Sequence, residues 1–308
     1  MQNQVLKKTL GGRFDNVFTE VNHSESLGLS NPSELRLFCL KVVNNLFAFA
    51  DLQDFLLDNI GRYVYSRARM EQFVLDGNAE TIALRAIRLL QKNGQLDQKG
   101  TGTELGEILV YAFLEQALGA PKIMSKIELL NVQGVYTSKS DAVHLLSVGN
   151  ENTPYYQLVF GTSSIIGDIR DAIDVAFETV AKIKQSETEE HQLLETTVLN
   201  KAFDEQTTER MKQLLIPSKS QIPVDNAFGI FLGYSLGLNP YNYSNIEFRQ
   251  EMQKKMALDI CQHARYIREK IQSLGLSTHS FYIYVLPLNE ASDDKKAIIN
   301  ELFGGGVS

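Results

Sequence analysis

The residues of this sequence best suited to chemistry are oxygen donors spaced along its middle third. Glu104 and Glu107 lie in TELGEILVYAFLEQALG (103–119), Asp141 opens a run that continues AVHLLSV, and Thr162, Ser163 and Ser164 close QLVFGTSS. Carboxylate oxygens are hard ligands, and two of them with waters can hold Mg²⁺. A metal so held polarises a phosphoryl oxygen and turns bound water into a nucleophile toward a phosphodiester. A lysine beside the pair would hold that water and offset developing charge.

Each residue also has an ordinary explanation. Glu104 follows Thr101 by three and completes a capping box at the positive end of a helix. Glu107, one turn on, reads by itself as a solvated helix glutamate. Asp141 follows Ser138–Ser140 and reads as a turn residue, since aspartate is disfavoured within strands. His144 lies three residues past Asp141, on the opposite strand face, and reads as a packed histidine.

These groups work together only if the chain gathers them. Spacing predicts a helix over 102–118, strands over Ala142–Val148 and Tyr155–Gly161 joined by a Gly/Asn/Pro turn, and a helix over Asp168–Lys184. Asp168 and Asp171 stand at the start of that helix, where capping accounts for them. A further strand is expected over Lys126–Asn131. The apolar run Ala227–Tyr234 suits a strand buried on both faces, and Phe281–Leu288 a last strand. Between them Phe248, Met252, Met256, Ile260, Ile267 and Ile271 mark a long amphipathic helix. Its basic residues (Arg249, Lys254, Lys255, Arg265, Arg268 and Lys270) alternate with acids and read as a solvated face.

Toward the N-terminus, Leu35, Phe38, Val42, Leu46, Phe49 and Phe55 recur near helical spacing, so residues 33–93 read as a helical subdomain. The loop QLDQKGTGT (95–103) is the clearest boundary. It divides the chain into an N-terminal arm and helical subdomain (1–98) and a second domain (99–308). The order helix, three strands, helix, strand, helix, strand implies an α/β fold with a mixed sheet flanked by helices.

A formal net charge of −7 excludes a protein that coats nucleic acid by bulk attraction. Any DNA contact must come from a local patch or a partner. No run is long and apolar enough to span a membrane, and MQNQVLKKTLGGRF lacks the apolar core of a signal peptide. A cytoplasmic protein is expected. Cys39 and Cys261 sit in apolar patterns far apart and read as buried free thiols.

The blocks TELGEILVYAFLEQALG, SDAVHL (140–145), LVFGTSSIIGDIRDAIDVAF (158–177), AFGIFLGY (227–234) and SFYIYVLPL (280–288), in this order, resemble the HamA family of the Hachiman anti-phage defence system. That resemblance implies a PD-(D/E)xK nuclease-like fold and Mg²⁺-dependent cleavage of DNA. It also implies a superfamily-2 helicase partner, HamB-like, that restrains the nuclease-like subunit until triggered. It maps the metal ligands to Asp141 and Glu107, with Glu104 nearby. The pattern then expects an acid, any residue and a lysine at the end of the second strand. Thr162 stands where the acid belongs and Ser164 where the lysine belongs, so these hydroxyls would line the site. Three readings stay open: a dead site in an adaptor that binds helicase or DNA, a site rewired through Asp168 or Asp171, or substitution of the natural residues.

Overall fold

Two nearly continuous apolar runs, Val224–Ser235 and Ser280–Leu288, form neighbouring parallel strands whose central residues are buried on both faces. Such strands need helices on either side, and the rest of the chain supplies them. The structure, a computed structural model, describes residues 6–11, 13–92, 103–128, 138–149, 153, 155–199, 203–215 and 223–304.

In chain order the strands are β1 (Thr19–Val21), β2 (Ser33–Cys39), β3 (Val42–Val43), β4 (Leu46–Phe47), β5 (Lys122–Ser125), β6 (Ala142–Ser147), β7 (Tyr156–Ile165), β8 (Val224–Ser235) and β9 (Ser280–Leu288). The described helices are α1 (Phe14–Val17), α2 (Ala50–Val64), α3 (Arg67–Leu75), α4 (Ile82–Lys92), α5 (Thr103–Gln116), α6 (Ile169–Gln185), α7 (Glu187–Leu199), α8 (Glu205–Leu215), α9 (Asn245–Ser273) and α10 (Ala291–Leu302). Seven strands form one sheet in the order β1-β2-β9-β8-β7-β6-β5, while β3 and β4 make a separate hairpin. The strands β2, β9, β8 and β7 run parallel; β6 and β5 continue antiparallel at one edge and β1 at the other. The α/β class with a mixed sheet flanked by helices is therefore as expected.

Helix α5 lies on one face of the sheet. Its Phe113 packs against Phe231 and Tyr284 of the sheet and against Phe14, Phe18 and Phe38. It approaches closely because β8 has no side chain at Gly229, where a Cβ would stand 2.5 Å from Leu114. Helix α6 covers the opposite face, with Phe177 stacked on Phe281. The anticipated stripe of α9 (Phe248, Met252, Met256, Ile260, Ile267, Ile271) is buried throughout. The basic residues of α9 that form ion pairs, Lys254, Lys255, Arg265 and Lys270, meet neighbouring acids as a solvated face should.

Several expectations need correction. Residues 33–39 are not helical: Leu35 and Leu37 are buried on alternate positions of β2, which lies between β1 and β9. Arg36, between those leucines, turns outward to form a bidentate pair with Glu20 of β1. The leucines and Phe38 also fit helical spacing, and the short hairpin β3–β4 extended the accident to Leu46. Helix begins only at Ala50. The sheet thus draws residues from both sides of the 98/99 boundary. Of the strand anticipated over Lys126–Asn131, residues 126–128 are helical and 129–131 lie outside the described residues; the strand that precedes them is β5. Cys39 and Cys261 are both free, but neither is buried: Cys39 is half-buried at the end of β2 and Cys261 is exposed on α9. Thr101 and the 95–102 loop lie outside the described residues. Among those described, no helix is long and apolar enough to cross a membrane.

Candidate functional site

At its carboxyl end β7 outruns β6. Ala142 pairs with Gly161, whereas Thr162 through Ile165 pair only with β8. The edge left open borders a cavity of about 480 Å³. A parallel sheet commonly presents its ligands at such carboxyl ends.

Antiparallel register delivers the first groups. Ser125 pairs with Ala142, so Lys126 and Asp141 are the next residues across from each other. The Lys126 amide donates to the Asp141 carbonyl at 2.9 Å, and the Asp141 amide to the Gly161 carbonyl at 2.8 Å. Helix α5 brings Glu107 over the same point. Lys126 Nζ lies 2.7 Å from Glu107 Oε1 and 3.5 Å from Asp141 Oδ1. Ser163 Oγ donates to Asp141 Oδ2 at 2.8 Å, and Tyr63 OH donates to Glu107 Oε2 at 2.9 Å. Gly106 permits this approach: a Cβ there would stand 2.6 Å from Ser163 Oγ. Burial and the nearby Glu107 charge push the Asp141 carboxyl up to about 6, despite the opposing pull of Lys126 and Ser163.

Glu107 is therefore far from the solvated glutamate its position suggested. Thr162 and Ser164 line the cavity and are buried. The hydroxyl that engages Asp141, however, belongs to Ser163, because strand alternation turns it toward α5. Ser164 Oγ has no hydrogen-bond partner among the described residues. Glu104 is buried at the start of α5 and does not line the cavity. Asp168 caps α6 through the amides of Arg170 and Asp171, and neither Asp168 nor Asp171 lines the cavity. The rewired reading thus loses its candidates.

Sequence reasoning missed Lys126 and Tyr63, and it named Ser163 without giving it a role of its own. A lysine that ends one strand and faces an acid that opens the next was the available signal for Lys126; misplacing β5 hid it. Lys139, Lys182 and Lys295 also line the cavity, so among the described residues four lysines face two carboxylates, Glu107 and Asp141. Among the described residues, no group of three or more His, Cys, Asp or Glu side chains could hold a metal ion.

Buried polar groups fix this arrangement from behind. Glu190 of α7 accepts from Ser138 Oγ at 2.7 Å, the Lys139 amide at 2.5 Å and Ser140 Oγ at 3.1 Å, which anchors the segment leading into Asp141. Lys122, 1% exposed, donates to the carbonyls of Arg62, Tyr63 and Tyr65 and to Glu128. It thereby holds the end of α2, and with it the Tyr63 that reaches Glu107. Glu115 accepts from the Thr9 and Leu10 amides, tying the N-terminal segment to α5.

His144 belongs to this network. Its Nδ1 faces the Ala120 carbonyl at 2.8 Å, and a carbonyl only accepts, so Nδ1 carries the proton. Burial lowers its pKa from 6.5 to about 4, Glu115 opposing the shift and Lys122 and Arg67 adding to it. Between those values the unfolded chain binds the extra proton, so stability falls as pH drops through this window. The full loss is about 3 kcal/mol. Asp141, pushed up to about 6, acts in the opposite direction over the same range, so the His144 share is read by difference. Between pH 7.5 and pH 4.5 the wild type is expected to lose about 2–3 kcal/mol more stability in urea unfolding than His144→Gln does.

No curated protein matches the chain. The HamA family model matches residues 15–302, nearly the full length, across both the N-terminal elements and the sheet that carries the cavity. The chain belongs to the HamA family, and that membership suggests a role in Hachiman anti-phage defence.

Proposed function

We propose that this chain is the nuclease-like subunit of a Hachiman defence complex, acting in the cytoplasm, and that it binds DNA phosphodiesters in the β7 cavity and hydrolyses them with Mg²⁺. The observation that carries this reading is the convergence of Glu107 and Asp141 on a single cation, Lys126 Nζ, in a cavity bordered by further lysines.

Two carboxylates already drawn to one cation suit a divalent ion that takes most of its shell from water and substrate oxygens. Glu107 and Asp141 would hold Mg²⁺, and waters with phosphate oxygens would complete its hard oxygen shell. The ion's contribution is Lewis-acid polarisation and a more acidic bound water. The chain does the rest. Tyr63 and Ser163 each occupy one oxygen of a carboxylate and so fix its orientation. Glu190 holds the segment before Asp141, and the cavity lysines attract phosphate. Hydrolysis forms one phosphorus–oxygen bond to water and breaks one to the sugar.

A formal charge of −7 leaves long-range grip on DNA to another subunit. A superfamily-2 helicase of the HamB type would supply that grip. The test is degradation of DNA by the chain with its helicase, in Mg²⁺ and in EDTA. Degradation is expected only with Mg²⁺, and Glu107→Gln is expected to slow it by about 100-fold or more, beyond the loss typical of residues that only orient a ligand. Equal degradation in EDTA would sink the proposal.

A second reading has its own observation: Thr162 and Ser164 supply hydroxyls where an acid and a lysine are expected. On that reading the chain is an adaptor that binds helicase or DNA without cutting. DNA binding without cleavage, and no metal density between Glu107 and Asp141 in Mn²⁺-soaked crystals, would favour it.

A further inference from the structure

Lys126 has a use beyond balancing charge. Its backbone is held by the hydrogen bond from its amide to the Asp141 carbonyl, while its side chain is 26% exposed on a flexible four-carbon stem. Its head can therefore leave the carboxylates without disturbing the strand register. The strand position expected to provide a lysine carries Ser164 instead, which cannot supply positive charge. Of the other cavity lysines, Lys295 donates to the Ile165 carbonyl at 2.9 Å, at the far end of the open edge. Lys126 is the cavity lysine whose ion pairs with both Glu107 and Asp141 are observed.

We propose that Lys126 is the working lysine of the site: it is the resident counter-ion of the Glu107–Asp141 pair and turns to the substrate phosphate when a divalent cation takes its place. This rests on the nucleic-acid reading above. Two consequences have opposite signs. A tethered ammonium competes with a divalent cation for the carboxylates, so its removal strengthens metal binding. The same ammonium contacts phosphate once displaced, so its removal weakens DNA binding.

The experiment uses the full chain and Lys126→Met, with Lys254→Met as a control for loss of an exposed, distant charge. Calorimetry reads Mn²⁺ binding, and fluorescence anisotropy reads a short labelled oligonucleotide in Ca²⁺. Circular dichroism verifies that each variant is folded. Lys126→Met is expected to bind Mn²⁺ about fivefold more tightly and the oligonucleotide about tenfold more weakly, while the control changes neither.

Weakening of both would show that Lys126 only holds the framework, and would overturn the proposal. So would no change in either, or Mn²⁺ binding by neither protein. Tighter Mn²⁺ binding with unchanged DNA binding would overturn the phosphate contact. If the wild-type chain binds Mn²⁺ but no oligonucleotide, the nucleic-acid reading fails by itself, and the Mn²⁺ comparison alone decides the counter-ion role.

Discussion

Asp141→Ala is expected to reduce Mg²⁺-dependent DNA degradation by the chain and its helicase by about 100-fold or more. Loss of groups that merely orient metal ligands already costs about 10- to 100-fold, and Asp141 is one of the two carboxylates that line the cavity among the described residues. The substitution leaves Glu107 facing Lys126 alone, so the cation position loses half its anionic wall. It also deprives Ser163 of its acceptor. The fold should survive, because burial and Glu107 make the ionised Asp141 carboxylate unfavourable in the native state. The informative comparison therefore pairs the degradation rate with the urea midpoint at pH 7.5. A slower rate at an unchanged or higher midpoint assigns Asp141 to the chemistry. Equal rates for both proteins would remove it from the mechanism.

Lys122→Met is expected to have the largest effect on stability, a loss of about 3–5 kcal/mol, which is typical when one partner of a buried ion pair is removed. Glu128 would remain buried without its cation, and the carbonyls of Arg62, Tyr63 and Tyr65 would lose a shared donor. Burial already pushes the Glu128 carboxyl up, with Lys122 as the main opposing influence. Adding Glu128→Leu should recover much of the loss, since well-packed apolar replacements of a buried pair are often neutral. Urea unfolding of the two single variants and the double variant measures this coupling. Additive losses would show that the pair acts through something other than its own charge. Because Lys122 also holds the end of α2, the single variant should loosen Tyr63 from Glu107.

Much of the architecture was legible because it rests on local signals. The continuous apolar runs of β8 and β9 required a sheet covered on both faces, and the stripe on α9 required a buried helix side. Asp168 capped α6 as its position implied. Asp141 was legible as an acid opening a strand, whereas Glu107 read by itself as a solvated helix glutamate and became a candidate only through the resemblance of the blocks around it. The region 33–49 was misread because a seven-residue strand followed by a short hairpin can imitate helical spacing. Nothing local distinguishes Leu35, Leu37 and Phe38 on a strand from the same residues on a helix. What decides is the partner strand β9, more than 240 residues away.

The residues that first suggested chemistry now form a more definite group. Sequence by itself determined that Glu107, Asp141, Thr162 and Ser164 are oxygen-bearing candidates, and it set the α/β order that brings a helix and a hairpin together. Tertiary structure decided which hydroxyl meets Asp141, because strand alternation selects Ser163. It also decided that Lys126 stands between the acids, because the register of β5 against β6 sets those two backbones side by side. A carboxylate's identity is written in one residue, but its counter-ion is chosen by strand pairing and helix packing, which no single stretch of chain contains.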